Sequence, residues 1–226
     1  MSSQPVEIIP GPGVIQDDFT LLRKRARMVS SLVEWIQIDI ADSRLVPNST
    51  SLDCKKYKEA LEGIDVRLEL HMMVADPLKN INGWIEAGFK RILLHIESFQ
   101  KIKSSKDQVI KSITAIQSKG AEVGLAVDKD TSIEVIYPYL DIIDCVLVMT
   151  IKAGFSGQKF IPELLEKVKA VHARKPDLPI EVDGGITGQT APLAIAAGVT
   201  RLVSTSFIYD AADIGKAISM LKHGVV

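Results

Sequence analysis

Short runs of apolar residues recur along the whole chain, and the stretches between them are long enough to hold helices. Eight runs read as strands: VEIIP at 6–10, EWIQIDI at 34–40, VRLELHMM at 66–73, RILLHI at 91–96, EVGLAV at 122–127, CVLVMTI at 145–151, PIEVD at 179–183 and RLVST at 201–205. Several are almost continuously apolar, the pattern of parallel strands covered on both faces. Glu69 interrupts the third run, and the alternating inner and outer positions of a small barrel accommodate it more easily than a uniformly apolar sheet does.

Between the runs the apolar spacing lengthens to helical intervals. Ile81, Trp84 and Ile85 form one stripe, Ile161, Leu164, Leu165 and Val168 a second, and Ile214, Ala217, Ile218 and Leu221 a third. Pro162 suits the first turn of its helix, where a missing N–H is tolerated. AGF at 87–89, KGA at 119–121 and AGV at 197–199 each set a glycine where a helix ends before the next strand. Strand and helix alternating about eight times predict an α/β fold, a single (β/α)8 TIM barrel over residues 1–226. A doubly wound open sheet is the runner-up, but no G-x-G-x-x-G joins an early strand to a helix. No segment between Pro10 and Lys222 is rich enough in Pro, Gly or Ser to require a domain division.

Composition narrows the setting. Hydrophobic residues make up 46% of the 226 and charged residues 24%, which excludes wholesale disorder. With 27 basic and 28 acidic residues the formal net charge is −1, leaving no broad attraction for nucleic acid or an anionic membrane while a local anion site stays open. Two cysteines, Cys54 and Cys145, are too few for a disulfide framework, so a reducing compartment is expected. MSSQPVEIIPGPG at the start lacks the basic and long apolar segments of a secretory signal. No apolar run reaches the roughly 18 residues of a bilayer span. A cytoplasmic protein with no membrane or nucleic-acid partner is the expectation.

In such a barrel the polar residues at the strand C-termini gather at one mouth. Asp39, His71 and Asp183 lie at or near the ends of the second, third and seventh strands. Each alone also reads as a helix cap, a satisfied polar residue or a loop anchor. Together, two carboxylates on opposite sides of a bound carbon acid suit removal of a proton from one face and its return to the other. KAGFSGQKF at 152–160, DGGI at 183–186 and STS at 204–206 follow the last three strands, where glycine N–H groups and hydroxyls can hold a phosphate. His95 reads equally as cavity wall or as a hydrogen-bonded structural residue, and RKRAR at 23–27 as a solvated helix face. Lys152 keeps lysine-based lyase chemistry open.

The ordered set LVPN at 45–48, LHMMV at 70–74, VMTIKAGFSGQKFIP at 148–162 and IEVDGGI at 180–186 resembles the ribulose-phosphate 3-epimerase family, over almost the whole chain. The resemblance implies a barrel of the ribulose-phosphate-binding type and a metal-binding isomerase of carbohydrate metabolism, in the pentose phosphate pathway. Its substrate would be a small phosphorylated sugar, with D-ribulose 5-phosphate and D-xylulose 5-phosphate interconverted by inversion at C3 through a cis-enediolate. Asp39 and Asp183 would be the paired acid and base, with Asp39, His71 and Asp183 also holding a divalent ion, zinc first and iron or manganese next. Met73 and Met149 would line the cavity beside the reacting carbons, and Gly154, Gly184, Gly185 and Ser206 would hold the phosphate. A homo-oligomer stays open.

The chain departs from the family pattern in four places. The family carries a metal-ligand histidine two positions before the first aspartate, where this chain has Gln37. The family's MDGHFVPN reads ADSRLVPN at 41–48, its strand-one serine is absent from VIQDD at 14–18, and Thr205 replaces a phosphate-site glycine. The chain is thus expected to be a divergent member in which Gln37 takes the histidine's place in the metal set and holds the ion less firmly. The alternatives are a metal-free site with Gln37 and His71 bonded to substrate, another phosphosugar barrel enzyme such as a lyase or decarboxylase, and a noncatalytic phosphosugar-binding protein.

Overall fold

The computed structural model describes residues 6–13, 17–100, 105–155 and 157–223. The leader reading of residues 1–5, the missing strand-one serine at 14–16, Ser156 of the sixth loop and the ends of the 1–226 domain fall on residues outside that range.

The eight strands are β1 (Glu7–Pro10), β2 (Trp35–Ala41), β3 (Arg67–Met73), β4 (Phe89–His95), β5 (Glu122–Val127), β6 (Cys145–Met149), β7 (Ile180–Asp183) and β8 (Arg201–Ser204). Every ladder is parallel and the order is β1-β8-β7-β6-β5-β4-β3-β2. β1 and β2 lie side by side at the ends of that order, so the sheet curls into a nearly closed (β/α)8 barrel. Around it run α1 (Phe19–Val29), α2 (Cys54–Leu61), α3 (Ile81–Glu86), α4 (Ser105–Gln117), α5 (Leu165–Arg174), α6 (Ala191–Ala196), α7 (Ser206–Tyr209) and α8 (Ile214–His223). The connection from β5 to β6 is a 3-10 segment, Ile133–Tyr139, in place of an α-helix. Pro138 inside it has no N–H to give, which disfavours a regular α-helical ladder there. No helix among the described residues is long and apolar enough to cross a membrane.

The period of two along each strand sorts side chains between two environments. Ile36, Ile38 and Ile40 of β2 join the apolar layer beneath the helices, with Trp84, Phe89 and Tyr57. The alternate positions enter the barrel, where Ala41, Met73, Leu93, Ala126, Leu147 and Met149 pack together. The interior is narrow enough that a Cβ at Gly124 of β5 would come 2.5 Å from Leu93 Cδ2 and 2.6 Å from Cys145 Sγ.

Below this packing the interior is charged. Glu69 and Glu181 are both fully buried. Arg91, in register with Glu69, places Nη1 2.7 Å from Glu69 Oε2 and Nε 2.7 Å from Glu122 Oε2, with its guanidinium 3.9 Å from the Trp35 ring centroid. Arg201 Nε reaches Glu7 Oε2 at 3.1 Å. Burial outweighs the Arg91 charge and raises the Glu69 carboxyl, while burial and the nearby Glu69 charge raise Glu181 well above the usual carboxylate range. Glu69 and Glu181 each precede a proposed site residue by two, so this network is the floor on which the site stands.

Candidate active site

β2 and β3 run in register with Asp39 beside His71 and Ala41 beside Met73, while β6 and β7 set Met149 beside Asp183. All these positions share the inward parity, so side chains far apart in sequence converge at the C-terminal mouth. His71 Nδ1 is 3.1 Å from Asp39 Oδ1 and 3.8 Å from Asp183 Oδ2. One ligand-capable atom from each of Asp39, His71 and Asp183 lies within 4.8 Å of the others. Burial, and then the negative charge of Asp39, push the Asp183 carboxyl up to about 7 against the lowering influence of His71 and the Gln37 hydrogen bond.

Two adjoining cavities open at this mouth. The smaller is bordered by Asp39, His71, Asp183, Met73, Met149 and Gly154. The larger, about 470 Å³, runs beneath the loops after β6, β7 and β8 and is lined by Gly184, Gly185, Lys159, Thr190, Thr205 and Ser206, among others. Asp183, Ile151 and Thr205 border both, so one groove leads from the carboxylates to the glycine-rich loops. The residues expected at a phosphate therefore divide: Gly184, Gly185 and Ser206 meet in the large cavity, and Gly154 stands beside the carboxylates, its carbonyl accepting from Asn48 Nδ2. The two adjacent glycines are needed by the chain itself. At Gly185, with φ of +67°, a Cβ would fall 2.6 Å from the Phe160 backbone nitrogen, and at Gly184, with φ of +121°, 2.3 Å from Ile151 Cγ1.

Residues 10–209 match the model of the Ribulose-phosphate 3 epimerase family. The chain belongs to this family. The ribulose-phosphate 3-epimerase, cytoplasmic isoform, of Oryza sativa subsp. japonica is 34% identical over 218 residues, covering 95% of this chain and 92% of the relative. Ribulose-phosphate 3-epimerase of Bacillus subtilis (strain 168) is also 34% identical over 218 residues, covering 93% of this chain and 96% of its own. Among solved structures, 3-hexulose-6-phosphate synthase from Salmonella typhimurium aligns over 96% of both chains with a TM-score of 0.66 at 15% identity. Orotidine 5'-phosphate decarboxylase from Pyrococcus horikoshii aligns over 95% of this chain and 97% of its own, with a TM-score of 0.65 at 16% identity. At those identities the last two show the barrel alone. Family membership makes the chain a ribulose-phosphate 3-epimerase-like enzyme, an epimerase acting on a ketose phosphate in this barrel.

The expectation for Gln37 is corrected by the geometry of this epimerase-family site. The resemblance puts Gln37 in the family histidine's place in the metal set, but the ligand-capable cluster among the described residues is Asp39, His71 and Asp183. Gln37 is 1% exposed and turns its amide nitrogen toward both carboxylates, donating to Asp39 Oδ1 at 2.9 Å and to Asp183 Oδ2 at 2.8 Å. An amide nitrogen offers hydrogens and no free lone pair, so in this arrangement Gln37 is a donor to two ligands and not itself a ligand. Its Oε1 is buried without a hydrogen-bond partner among the described residues. The physical reason is the pair of facing carboxylates, which attracts the positive end of the amide dipole.

Other residues also gain definite places. Lys152 is exposed and borders neither cavity, which removes the motive for lysine-based chemistry. His95 is buried and bonded behind His71, and Glu97 is bonded behind His95. Sequence reasoning missed Glu97, although its spacing of two from His95 at a strand end was a usable signal. Ser43, where the family has glycine, keeps a left-handed φ of 57°.

Proposed function

We propose that the enzyme inverts C3 of a ketose 5-phosphate, interconverting D-ribulose 5-phosphate and D-xylulose 5-phosphate, with Asp39 and Asp183 as the acid/base pair. The observation that carries this reading is that carboxylates from β2 and β7 meet at one amide, at the point where the groove leaves for the glycine-rich loops. Raised to about 7, Asp183 is about half protonated at neutral pH, so it can serve as acid in one direction and as base in the other. The base takes the C3 proton, and the C3–H electron pair becomes the C2–C3 double bond as charge moves onto the C2 oxygen. The acid then delivers a proton to C3 from the opposite face and the C2 carbonyl re-forms.

The remaining residues fit the two ends of such a substrate. Met73 and Met149, each 2% exposed, wall the smaller cavity with polarizable apolar surface and keep water from the reacting carbons. Gly184, Gly185 and Ser206 border the space for the phosphate, with Lys159 as a cation at its rim, and Gly154 shapes the passage beside the carboxylates. Two oxygen donors and one imidazole suit a divalent ion, zinc first and iron or manganese next, held by Asp39, His71 and Asp183. A bound ion there supplies Lewis acidity for the negative charge that develops on the sugar oxygens. A cytoplasmic setting accords with the printed name of the rice relative.

The test is NMR in D2O with the two pentulose phosphates and with ketose 6-phosphates as competitors, following deuterium entry at C3. Asp39→Asn and Asp183→Asn are each expected to lower kcat by about 10²–10⁴-fold while phosphosugar binding persists. Parent-like turnover in both variants, or no C3 exchange with any ketose phosphate, would overturn the assignment.

A further inference from the structure

Behind the site runs a line of hydrogen bonds that the acid/base chemistry does not use. His71 Nε2 is 2.8 Å from His95 Nε2, and the two rings are stacked with centroids 5.0 Å apart. His95 Nδ1 is 3.0 Å from Glu97 Oε2. The other oxygen of that carboxylate, Oε1, accepts from the Asp128 backbone N–H at 2.9 Å. Both imidazoles are 1% exposed, so water cannot substitute for these partners.

Each contact in the line holds one proton, and the far end decides which atom owns it. Burial would raise the Glu97 carboxyl, yet one oxygen lies 3.0 Å from His95 Nδ1 and the other accepts from the Asp128 N–H at 2.9 Å, and hydrogen bonding of this kind holds the carboxyl well below the usual carboxylate range. An ionised carboxylate requires a proton on His95 Nδ1. A neutral His95 then offers Nε2 as an acceptor, so the proton between the rings belongs to His71 Nε2. His71 is left with a bare Nδ1 lone pair 3.1 Å from Asp39 Oδ1 and 3.8 Å from Asp183 Oδ2, an electron-rich cluster that a cation shared by the three side chains satisfies.

We propose that His95 and Glu97 are positioning residues that fix the tautomer of His71, presenting its Nδ1 lone pair to a divalent ion shared with Asp39 and Asp183. The inference rests on the reading of those three residues as the metal set. An outer hydrogen-bond partner of this kind orients a metal-binding imidazole and makes it more basic. Without it, His71 is free to carry its proton on Nδ1 and donate to Asp39 instead, which blocks the ligand position.

Glu97→Gln separates these states with little change in shape. The Asp128 N–H holds the amide oxygen, so the amide NH2 faces His95 Nδ1 and drives the His95 proton to Nε2 and the His71 proton to Nδ1. Zinc affinity, measured by chelator competition, is expected to fall about 10–100-fold, with an altered visible spectrum of the cobalt-substituted protein. Long-range 15N–1H imidazole spectra should show Nε2–H on His71 and Nδ1–H on His95 in the parent, with both reversed in the metal-free variant. Parent-like zinc affinity in folded Glu97→Gln, or a parent in which the shared proton sits on His95 Nε2, would overturn the proposal. His71→Ala tests the metal reading separately: zinc binding that survives it refutes the metal set, while the parent tautomers still decide the relay. The parent spectra also decide it should the variant fail to fold.

Discussion

Arg91→Met removes the guanidinium that faces Glu69, one of the two fully buried carboxylates in the barrel floor. Met keeps much of the stem's volume but takes away the 2.7 Å contacts to Glu69 and Glu122. Glu122 is 42% exposed and is rehydrated at little cost, whereas Glu69 is 0% exposed and is not. Left ionised and alone, a buried charge of this kind costs about 3–5 kcal/mol. Protonating it at pH 7, against an ordinary pKa of about 4.3 in the unfolded chain, costs roughly 3.7 kcal/mol, and at pH 5 roughly 1 kcal/mol. The cheaper route applies, and part of it is already spent in the parent, whose Glu69 is raised by burial. The loss on substitution is therefore at most about 4 kcal/mol at pH 7 and about 1 kcal/mol at pH 5. The sign follows from a folded-state pKa raised above the unfolded one: stability is fully present below the unfolded value and is lost as pH rises toward the folded value. Urea unfolding of parent and variant at the two pH values measures this directly. Adding Glu69→Leu to Arg91→Met should recover most of the loss and abolish its pH dependence. A loss that is the same at pH 5 and pH 7, or one below about 1 kcal/mol at pH 7, would refute the argument that Arg91 acts through the Glu69 charge.

Glu181→Gln tests the other half of the floor. Because burial and the Glu69 charge raise the Glu181 carboxyl, the parent loses stability as pH climbs toward that raised value, so the variant should resist more urea than the parent at pH 8 and lose this advantage by pH 4; an advantage equal at both pH values would count against it. Gly185→Ala adds a Cβ against the Phe160 backbone at a left-handed position, and KM for a phosphorylated ketose should rise roughly tenfold or more with a smaller change in kcat. An unchanged KM in the folded variant would show that this packing does not shape the phosphate cavity.

The strands were legible because inward and outward positions alternate against two different apolar layers, a constraint written into each run of residues. Asp39, His71 and Asp183 were legible for the same reason: each stands at the inward parity near a strand end, and the barrel does the rest. What escaped depends on partners supplied by register. Glu69 stood out as a charge in an apolar run, but its counterion Arg91 becomes visible only when β3 is laid beside β4. Gln37 occupies a ligand's position in the sequence, and only the two carboxylates that meet there turn its amide nitrogen inward. The strand–helix alternation expected about eight times along the chain breaks between β5 and β6, where Pro138 is a local signal against a regular α-helix.

The departures from the family pattern at the mouth fall into two physical kinds. Ser43 holds the left-handed turn that glycine would adopt freely, at a cost of about 1 kcal/mol. The Asp42 side chain offsets it, accepting from the Arg44 and Leu45 N–H groups with one oxygen and from the Ala75 N–H with the other, which ties the loop after β2 to the loop after β3. That change leaves the chemistry of the site alone. Gln37 is of the second kind, because it lies between the reacting groups. One amide NH2 serves carboxylates from β2 and β7, so it holds both at one point and eases the repulsion between them without taking or giving a proton. It therefore cannot shuttle the proton from one aspartate to the other after a turnover. Resetting the pair is left to solvent entering the groove, since His71, whose Nδ1 lies 3.1 Å from Asp39 Oδ1 and 3.8 Å from Asp183 Oδ2, stands in the proposed metal set.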